Sequence, residues 1–237
     1  MSEADLEVDV VVLGSGIGGM TVAGTAAENG LSVLVADRAP QLGGSSVWSG
    51  GFVWTALNEE DFLKFDPEGD VRKFHLMREG FEPALDWVRS QGILVGPVMT
   101  EILGFGSGHV IDVPHLVRNV KAIVESHDGW VMPSTEGVEL IVDNGRVIGV
   151  VLKDVESGDL TRVHANAVVL ATGGIHASEE LRREFGVRGA ENIMVRGNPW
   201  SEGGGIQMAR AIGAKATLER GAGFYGHAMP YPLDSIQ

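Results

Sequence analysis

A glycine-rich loop near the start of the chain, Gly14 to Gly19, lies between an apolar run and a run of small residues. The apolar run Val8 to Leu13 predicts a buried parallel strand. Small residues after the loop predict a helix that packs closely on a sheet and stops at Asn29-Gly30, and its packing face is Ala23, Ala26 and Ala27. This strand, loop and helix order strongly constrains the fold.

The glycine spacing in this loop predicts a phosphate-binding turn. Gly14 allows a sharp turn, Gly16 lets backbone N–H groups approach a diphosphate, and Gly19 allows the helix to pack on the sheet. The helix N-terminus then faces the phosphate charge.

The setting of the loop supports this interpretation more than its spacing does. With 34 glycines in 237 residues, the same pattern arises by chance about once in a chain of this length. A second match, formed by Gly221, Gly223 and Gly226, has no strand before it and no helix after it, so we interpret it as a loop.

A second apolar strand, Leu31 to Ala36, ends in Asp37, which lies 18 residues beyond Gly19. A carboxylate at about this spacing accepts hydrogen bonds from an adenosine ribose and repels a 2′-phosphate, which argues against NADP. Arg38 beside it weakens the second inference. The alternative is a plain strand-turn-helix with a surface aspartate.

Composition excludes several classes of protein. The formal net charge is −14, from 18 Lys and Arg against 32 Asp and Glu, and no basic cluster stands out, which argues against nucleic-acid binding. The absence of cysteine excludes thiol catalysis and cysteine-ligated clusters within this chain. The acidic N-terminus lacks signal-peptide features, and no apolar run approaches a membrane span. We expect a cytoplasmic protein.

A second glycine-rich segment, Gly43 to Gly51, contains four glycines and three serines in nine residues. A backbone free of Cβ atoms and rich in hydroxyl and N–H donors suits close contact with a large planar ligand. A flexible linker is the alternative. The apolar surface of Trp48 and of Phe52-Val53-Trp54 argues against it.

Taken together, these motifs give the chain a resemblance to the flavoprotein family of fumarate reductases, succinate dehydrogenases and 3-ketosteroid dehydrogenases. The residues that carry it are Gly14 to Gly19, Asp37-Arg38, Gly43 to Gly51, Ala171-Thr172-Gly173-Gly174 after the strand Ala167 to Leu170, and Glu202 to Ile206. The resemblance implies an α/β, Rossmann-like FAD-binding fold with a parallel sheet, interrupted by helices and an antiparallel β-meander.

The resemblance also implies FAD, with the ADP part at the first loop and Asp37 and the isoalloxazine near Gly43 to Gly51. The backbone near Val138 would contact adenine. Covalent members carry a histidine in or beside the second glycine segment, whereas the first histidine here is His75, so we expect non-covalent FAD. The chain departs from the family at Gly204, where an aspartate is usual. The expected cofactor-binding residues are Gly14, Ser15, Gly16, Gly18, Gly19, Asp37, Arg38, Gly43, Gly44, Ser45, Ser46, Gly50, Gly51, Val138, Ala171, Thr172, Gly173 and Gly174.

The whole chain, 1–237, is expected to be one FAD-binding domain. Its parts are 1–55, with the first βαβ unit and the flavin-contacting segment; 56–128, a helical insertion broken at 66–69 and near Gly80; 129–165, a strand and the meander; and 166–237, a return to the FAD domain. A helix begins at Asp112-Val113-Pro114, a short strand spans Trp130 to Pro133, and another strand spans Leu160 to Ala165. Ser178 caps a helix in which Arg182 and Arg183 match the helix dipole.

Catalytic residues cannot be assigned from this sequence. In the family, proton-transferring residues lie largely in a substrate-capping domain and a C-terminal FAD segment, and we expect both to be absent from this chain. Tyr225, Tyr231 and His227 offer no basis for a role, and the histidines show no metal-ligand spacing, so no metal is expected.

Two hypotheses follow. The first is an FAD-dependent oxidoreductase, acting on CH–CH groups, that moves a hydride between flavin N5 and a carbon next to a carbonyl or carboxylate. Its substrate would be a steroid-like ketone or a dicarboxylate, with the apolar residues at 48–54 favouring the ketone, and its electron donor or acceptor is not specified. The second is a truncated FAD-binding fragment or subunit without activity of its own. An NAD-binding Rossmann enzyme is a third, weaker alternative.

Overall fold

The computed structural model describes residues 6–102, 104–187, 189–195, 197–216 and 228–230. These residues fall into two compact units, one built from residues up to Trp48 and from Val120 onward, the other from Ser49–Asn119. The second unit covers most of the 56–128 range that the sequence predicts as a helical insertion.

The first unit contains most of the elements. Its strands are β1 (Leu6–Leu13), β2 (Val33–Ala36), and, later in the chain, the strands at Trp130–Met132, Thr135–Asp143, Arg146–Asp154, Leu160–Leu170, Ile193–Val195 and Ala228–Pro230, which we number β6 to β11. Its helices are α1 (Ile17–Glu28), α5 (Glu179–Glu184) and α6 (Gly204–Ala211). The second unit contains β3 (Phe52–Ala56), β4 (Met99–Ile102), β5 (Gly106–Val110), α2 (Glu59–Phe65) and α3 (Val71–Ser90), and α4 spans Val113–Ser126.

A six-stranded sheet in the order β6-β2-β1-β9-β8-β7 organises the first unit. The four strands β6, β2, β1 and β9 run parallel, with Val10 of β1 opposite both Val33 and Ala167. Val11, Val12 and the residues of β2 are buried, as expected for parallel strands covered on both faces. The predicted Rossmann-like fold with a mostly parallel sheet is therefore confirmed.

The strand β9 differs from its prediction, because the sequence suggests two strands, Leu160 to Ala165 and Ala167 to Leu170. The structure shows one strand, Leu160–Leu170. Its first half pairs antiparallel with β8, and from Val163 onward it pairs parallel with β1. The polar Asn166 marks no break, since the strand runs through it. The meander therefore extends the parallel sheet in space although it interrupts the Rossmann order in sequence.

Helix α1 packs on β1 and β2 through small residues. Gly19, Met20, Ala23, Ala26 and Ala27 are buried, and the helix stops at Asn29, before Gly30 with φ +79°. The predicted stop at Asn29-Gly30 is confirmed. Small side chains let the helix axis approach the sheet, which brings its N-terminus to the carboxyl end of β1.

Of the later helices, α6 packs against this sheet. Met208 of α6 joins the apolar cluster formed by Leu13, Leu34, Leu140 and Leu152. Ser178 caps α5 through the Leu181 N–H, as predicted. Arg182 has a further role, because it is buried and its guanidinium donates to the carbonyls of Ala190 and His176.

In the second unit, α3 passes without interruption through Gly80 and Pro83, so the predicted break near Gly80 is wrong. A glycine costs a helix only about 1 kcal/mol, and burial of Phe74, Leu85 and Val88 along one face outweighs that cost. The predicted break at 66–69 is confirmed, with Asp70 capping α3 through the Arg72 N–H.

The second unit also contains a three-stranded antiparallel sheet, β3-β5-β4, which the sequence did not reveal. The strands β4 and β5 are short and lack apolar alternation. Trp54 of β3 lies across Gly106 and Gly108 of β5, where an added Cβ would come within 2.7 and 2.5 Å of the tryptophan. Within the described residues, no helix is both long and apolar enough to cross a bilayer.

Candidate functional site

The loop between β1 and α1 is held in place by two of its glycines. Gly14 has φ +105°, and a Cβ there would lie 2.3 Å from the Ala171 carbonyl oxygen. A Cβ at Gly19 would lie 1.9 Å from the Gly14 carbonyl oxygen. Both positions therefore exclude every other residue, because the chain packs on itself there.

Gly16 and Gly18 face open space instead. A Cβ at Gly16 would meet only the Ser46 Oγ, at 3.7 Å, and one at Gly18 would meet nothing within 4 Å. Both residues line a cavity of about 230 Å³ in the first unit. The protein itself does not require glycine here, so the free space is consistent with the close approach of a ligand to the backbone.

The N-terminus of α1 opens on this cavity. Its N-cap residue is Gly16, which has no side chain that could cap the helix, and its first turn contains no acidic residue. The Ile17 N–H donates to Ser46 Oγ at 2.9 Å. Because the helix dipole places partial positive charge here, the described residues leave a site suited to an anionic group such as a diphosphate.

Asp37 lies at the end of β2, is 9% exposed and lines the same cavity. Its carboxylate accepts hydrogen bonds from the Ser15 N–H at 2.7 Å, the Ser15 hydroxyl at 2.5 Å and the Ala39 N–H at 2.9 Å. A carboxylate offers about four lone-pair sites. Asp37 therefore shapes the loop and keeps capacity for one further donor, such as a ribose hydroxyl.

Ser15 connects three parts of the site. It is fully buried, its hydroxyl donates to Asp37, and the hydroxyl oxygen accepts the Gly43 N–H at 2.8 Å. The loop Gly14 to Gly19, the end of β2 and the second glycine segment are therefore joined through one side chain.

The second glycine segment divides between the two units. Residues Gly44–Trp48 form a 3₁₀ turn in the first unit, and Gly44, Ser45 and Ser46 line the cavity. Gly50 and Gly51 belong to the second unit, where a Cβ at Gly51 would lie 2.1 Å from the Ile111 carbonyl oxygen.

The segment after β9 forms another wall of the cavity through Ala171, Thr172 and Gly173. The Thr172 hydroxyl accepts the Gly205 N–H at 3.2 Å, which fixes the start of α6. Gly204, where the family usually carries an aspartate, also lines the cavity, and a Cβ there would meet nothing within 4 Å.

Most of the expected cofactor-binding residues meet at one cavity. Those that line it are Gly14, Gly16, Gly18, Asp37, Arg38, Gly44, Ser45, Ser46, Ala171, Thr172 and Gly173. Seven others do not line it: Ser15, Gly19, Gly43, Gly50, Gly51, Val138 and Gly174. The residues next to Val138, Glu136 and Gly137, do line it.

Sequence reasoning missed the part of the cavity wall formed by Asn198, Trp200 and Ser201. Arg38 pairs with Glu202 and, at 3.6 Å, with Glu136, and its guanidinium lies 5.5 Å from the Trp200 ring centroid. Only the Asn198-Pro199 turn signal marked this region. The candidate residues Tyr225, Tyr231 and His227, and the second glycine match at Gly221, Gly223 and Gly226, lie outside the described residues.

The comparisons with known proteins agree with this geometry. A model of the FAD binding domain matches residues 9–86 and 103–225. The urocanate reductase of Eggerthella lenta is 26% identical over 238 residues, covering 88% of this chain and 38% of the reductase. The 3-oxosteroid 1-dehydrogenase of Mycolicibacterium smegmatis is 49% identical over 71 residues, covering 29% of this chain and 12% of the dehydrogenase.

The fold matches that of solved flavoproteins as well. The crystal structure of a 3-ketosteroid-Δ4-(5α)-dehydrogenase from Rhodococcus jostii RHA1 superposes with a TM-score of 0.73 at 23% identity, covering 91% of this chain and 56% of that one. The chain thus spans less than two thirds of each of these relatives. Because the family model covers most of the chain, the chain belongs to the FAD-binding domain family.

Proposed function

We propose that this chain holds FAD without a covalent bond and supplies the FAD-binding part of an oxidoreductase. The observation that carries the proposal is the open α1 N-terminus, where Gly16 and Gly18 leave free space in the cavity. The volume of about 230 Å³ is below the roughly 300 to 1,000 Å³ of pockets that enclose a drug-sized ligand. The described cavity therefore accounts for part of a dinucleotide.

The ADP part fits this cavity best. Backbone N–H groups at Gly16 and Gly18 would bind the diphosphate, and the free lone pair of Asp37 would accept a ribose hydroxyl. Arg38 is engaged by Glu136 and Glu202. A 2′-phosphate would meet these carboxylates rather than a free guanidinium, which favours FAD over NADP.

A non-covalent attachment is supported by the side chains available. The segment Gly43 to Gly51, where the flavin ring is expected, has no histidine within or beside it, since the first histidine of the chain is His75, and the chain contains no cysteine. Acid precipitation of the purified protein tests this proposal, because non-covalent flavin is released to the supernatant. Flavin fluorescence that stays with the denatured chain would contradict it.

For the reaction, we propose hydride transfer between the flavin and a carbon next to a carbonyl or carboxylate. Bound flavin supplies the hydride acceptor or donor, and the protein orients the ring and excludes water. The proposal is supported by the names of two proteins that this chain resembles, urocanate reductase and 3-oxosteroid 1-dehydrogenase.

For the substrate, a steroid-like ketone is favoured over a dicarboxylate. In the second unit, Phe52 and Trp54 share a sheet face with Val110 and Met99, by the register of β3, β5 and β4. Phe52 is half exposed. An apolar face of this kind suits a flat, lipid-like molecule and offers no cation to clamp a carboxylate.

Two measurements test these proposals in order. The visible spectrum of the purified chain saturated with FAD should show bound flavin, and absence of binding would refute the cofactor proposal. Turnover of a 3-ketosteroid with an artificial electron acceptor is then compared with fumarate reduction by a reduced dye. Bound flavin without either turnover would favour the second hypothesis, a subunit that binds FAD and is inactive alone.

A further inference from the structure

Asn198 is a buried polar side chain in the cavity wall to which neither the motifs nor the family resemblance gives a role. It lies in the segment before α6 and is 8% exposed. Asparagine is usually exposed, and buried amides normally have hydrogen-bond partners for both their oxygen and their nitrogen. Its surroundings therefore indicate what it is placed to bind.

Its orientation is fixed by the protein on one side only. The Oδ1 atom accepts the Trp200 N–H at 3.0 Å, and the Asn198 carbonyl contacts His176 Nε2 at 3.0 Å. Rotating the amide by 180° would point Nδ2 at the Trp200 N–H, which would place two donors together. Because Oδ1 points to the Trp200 N–H, Nδ2 must point away from Trp200.

In that direction Nδ2 faces the phosphate loop. A Cβ built at Gly44 would lie 3.9 Å from Asn198 Nδ2, 3.4 Å from Gly16 Cα and 3.5 Å from Gly16 N. The amide nitrogen and the Gly16 backbone therefore border the same space, next to the α1 N-terminus.

The described part of the chain gives Nδ2 no acceptor. Hydrogen bonds of Asn198 there use its side-chain oxygen and its backbone carbonyl. Because no fully buried side-chain nitrogen or oxygen of the described residues lacks a partner, Nδ2 must reach the open cavity, where it is available to a ligand. Since the neighbouring groups at Gly16 and Gly18 are backbone N–H donors, a ligand group that accepts several hydrogen bonds fits this space best.

We propose that Asn198 Nδ2 donates a hydrogen bond to the diphosphate of the bound dinucleotide. Phosphate oxygens are acceptors without protons of their own at neutral pH, and the helix N-terminus favours their charge at this position. The inference rests on the proposed placement of the diphosphate at the Gly14 to Gly19 loop.

Two variants isolate the Nδ2 donor. Asn198→Asp keeps the oxygen that accepts the Trp200 N–H but replaces the donor with a charged oxygen. Asn198→Ala is neutral but loses both groups. Loss of the Nδ2 donor is the property that the two variants share. Asn192→Asp, at an exposed position away from the cavity, controls for an added negative charge.

The measurement is the Kd for FAD, from flavin fluorescence, and for ADP, from calorimetry, with circular dichroism to confirm the fold of each variant. Both variants should weaken FAD and ADP binding by about 10- to 100-fold, the range for a hydrogen bond to a charged group. The Asn192→Asp control should bind both ligands like the wild type.

Either variant alone can overturn the inference. Wild-type affinity in Asn198→Asp would mean that only the Trp200 contact matters. Wild-type affinity in Asn198→Ala would mean that only charge repulsion matters. A wild-type chain that fails to bind FAD would refute the proposed function and this inference with it, whereas tight wild-type binding with unaltered variants would refute the inference alone.

Discussion

At the scale of single residues, two kinds of glycine share one loop. Gly14 and Gly19 are required by contacts of the chain with itself, whereas Gly16 and Gly18 border space that the protein leaves open. The first kind should control stability and the second kind ligand binding.

We expect Gly18→Ala to separate these two roles. Alanine is better than glycine inside a helix by up to about 1 kcal/mol, and no protein atom opposes its Cβ within 4 Å. The variant should therefore be at least as stable as the wild type to urea but should bind FAD more weakly, because the Cβ occupies cofactor space. Gly80→Ala, equally unopposed in α3, is the matched control and should leave FAD affinity unchanged. Equal FAD affinity in Gly18→Ala would place the cofactor elsewhere.

The sequence predicts Ser15 as a cofactor-binding residue. In the structure its hydroxyl contacts other parts of the protein. Its hydroxyl bonds both Asp37 and the Gly43 N–H while being fully buried. The short serine side chain at this loop position carried no signal of that connection.

We expect Ser15→Ala to destabilise the protein by about 1 to 3 kcal/mol, since it leaves the Gly43 N–H and one Asp37 lone pair buried without partners. Urea unfolding followed by circular dichroism measures this difference. Ser126→Ala removes a hydroxyl that bonds a carbonyl at an exposed position and should change stability far less. Similar values for the two variants would argue against the connecting role of Ser15.

At the scale of elements, the amino ends of the parallel strands are tied by Asp9 of β1. Its carboxylate accepts hydrogen bonds from the Ser32 N–H and hydroxyl, ahead of β2, and from Asn166 of β9. The Ser32 hydroxyl is the main cause that lowers the pKa of Asp9 below its ordinary value of 3.8, followed by the Ser32 N–H.

This pKa shift gives a pH dependence of known sign. A carboxyl whose pKa is lowered by folding stabilises the protein above its unfolded pKa, and the contribution disappears as the pH falls through the folded pKa. We expect Asp9→Asn to be less stable than the wild type at pH 7, with the difference shrinking below pH 3.8. Thermal midpoints across this pH range measure it, and a difference that stays constant would contradict the expectation.

Element prediction succeeded where the signal was local. The strand β1, helix α1 and strand β2 follow from apolar runs, small residues and the Asn29-Gly30 stop. Element prediction failed for β9, which pairs parallel with one neighbouring strand and antiparallel with the other. It also failed for α3, where burial of one face outweighs the helix-destabilising effect of Gly80. In both cases the deciding contacts come from other parts of the chain.

At the scale of the whole molecule, membership in the FAD-binding domain family means that the free energy of unfolding should depend on cofactor binding. A ligand that binds only the folded state stabilises it by an amount set by its concentration and Kd. In the proposed binding mode, the carboxylates of Glu136 and Glu202 beside Arg38 would disfavour a 2′-phosphate.

We expect FAD at 100 times its Kd to stabilise the chain by about 2.7 kcal/mol, seen as a higher midpoint in thermal unfolding. NADP at the same concentration should give a much smaller shift. If NADP raised the thermal midpoint as much as FAD or more, the result would contradict both the assignment of FAD as the preferred cofactor and the proposed role of the two carboxylates.

The sequence by itself determined the phosphate loop, the strands and helix that flank it, the Rossmann-like class and the family. The loop and its flanking elements depend on spacing and apolar periodicity within some 40 residues of chain, from Leu6 to Ser46, whereas the family resemblance also rests on the motifs Ala171-Thr172-Gly173-Gly174 and Glu202 to Ile206. Tertiary structure alone decided which residues complete the cavity. Asn198 and Trp200 lie near Gly44 and Arg38, more than 150 residues away along the chain. They arrive there because β9 pairs parallel with β1 and carries the following chain to the carboxyl end of the sheet, a placement that no local pattern encodes.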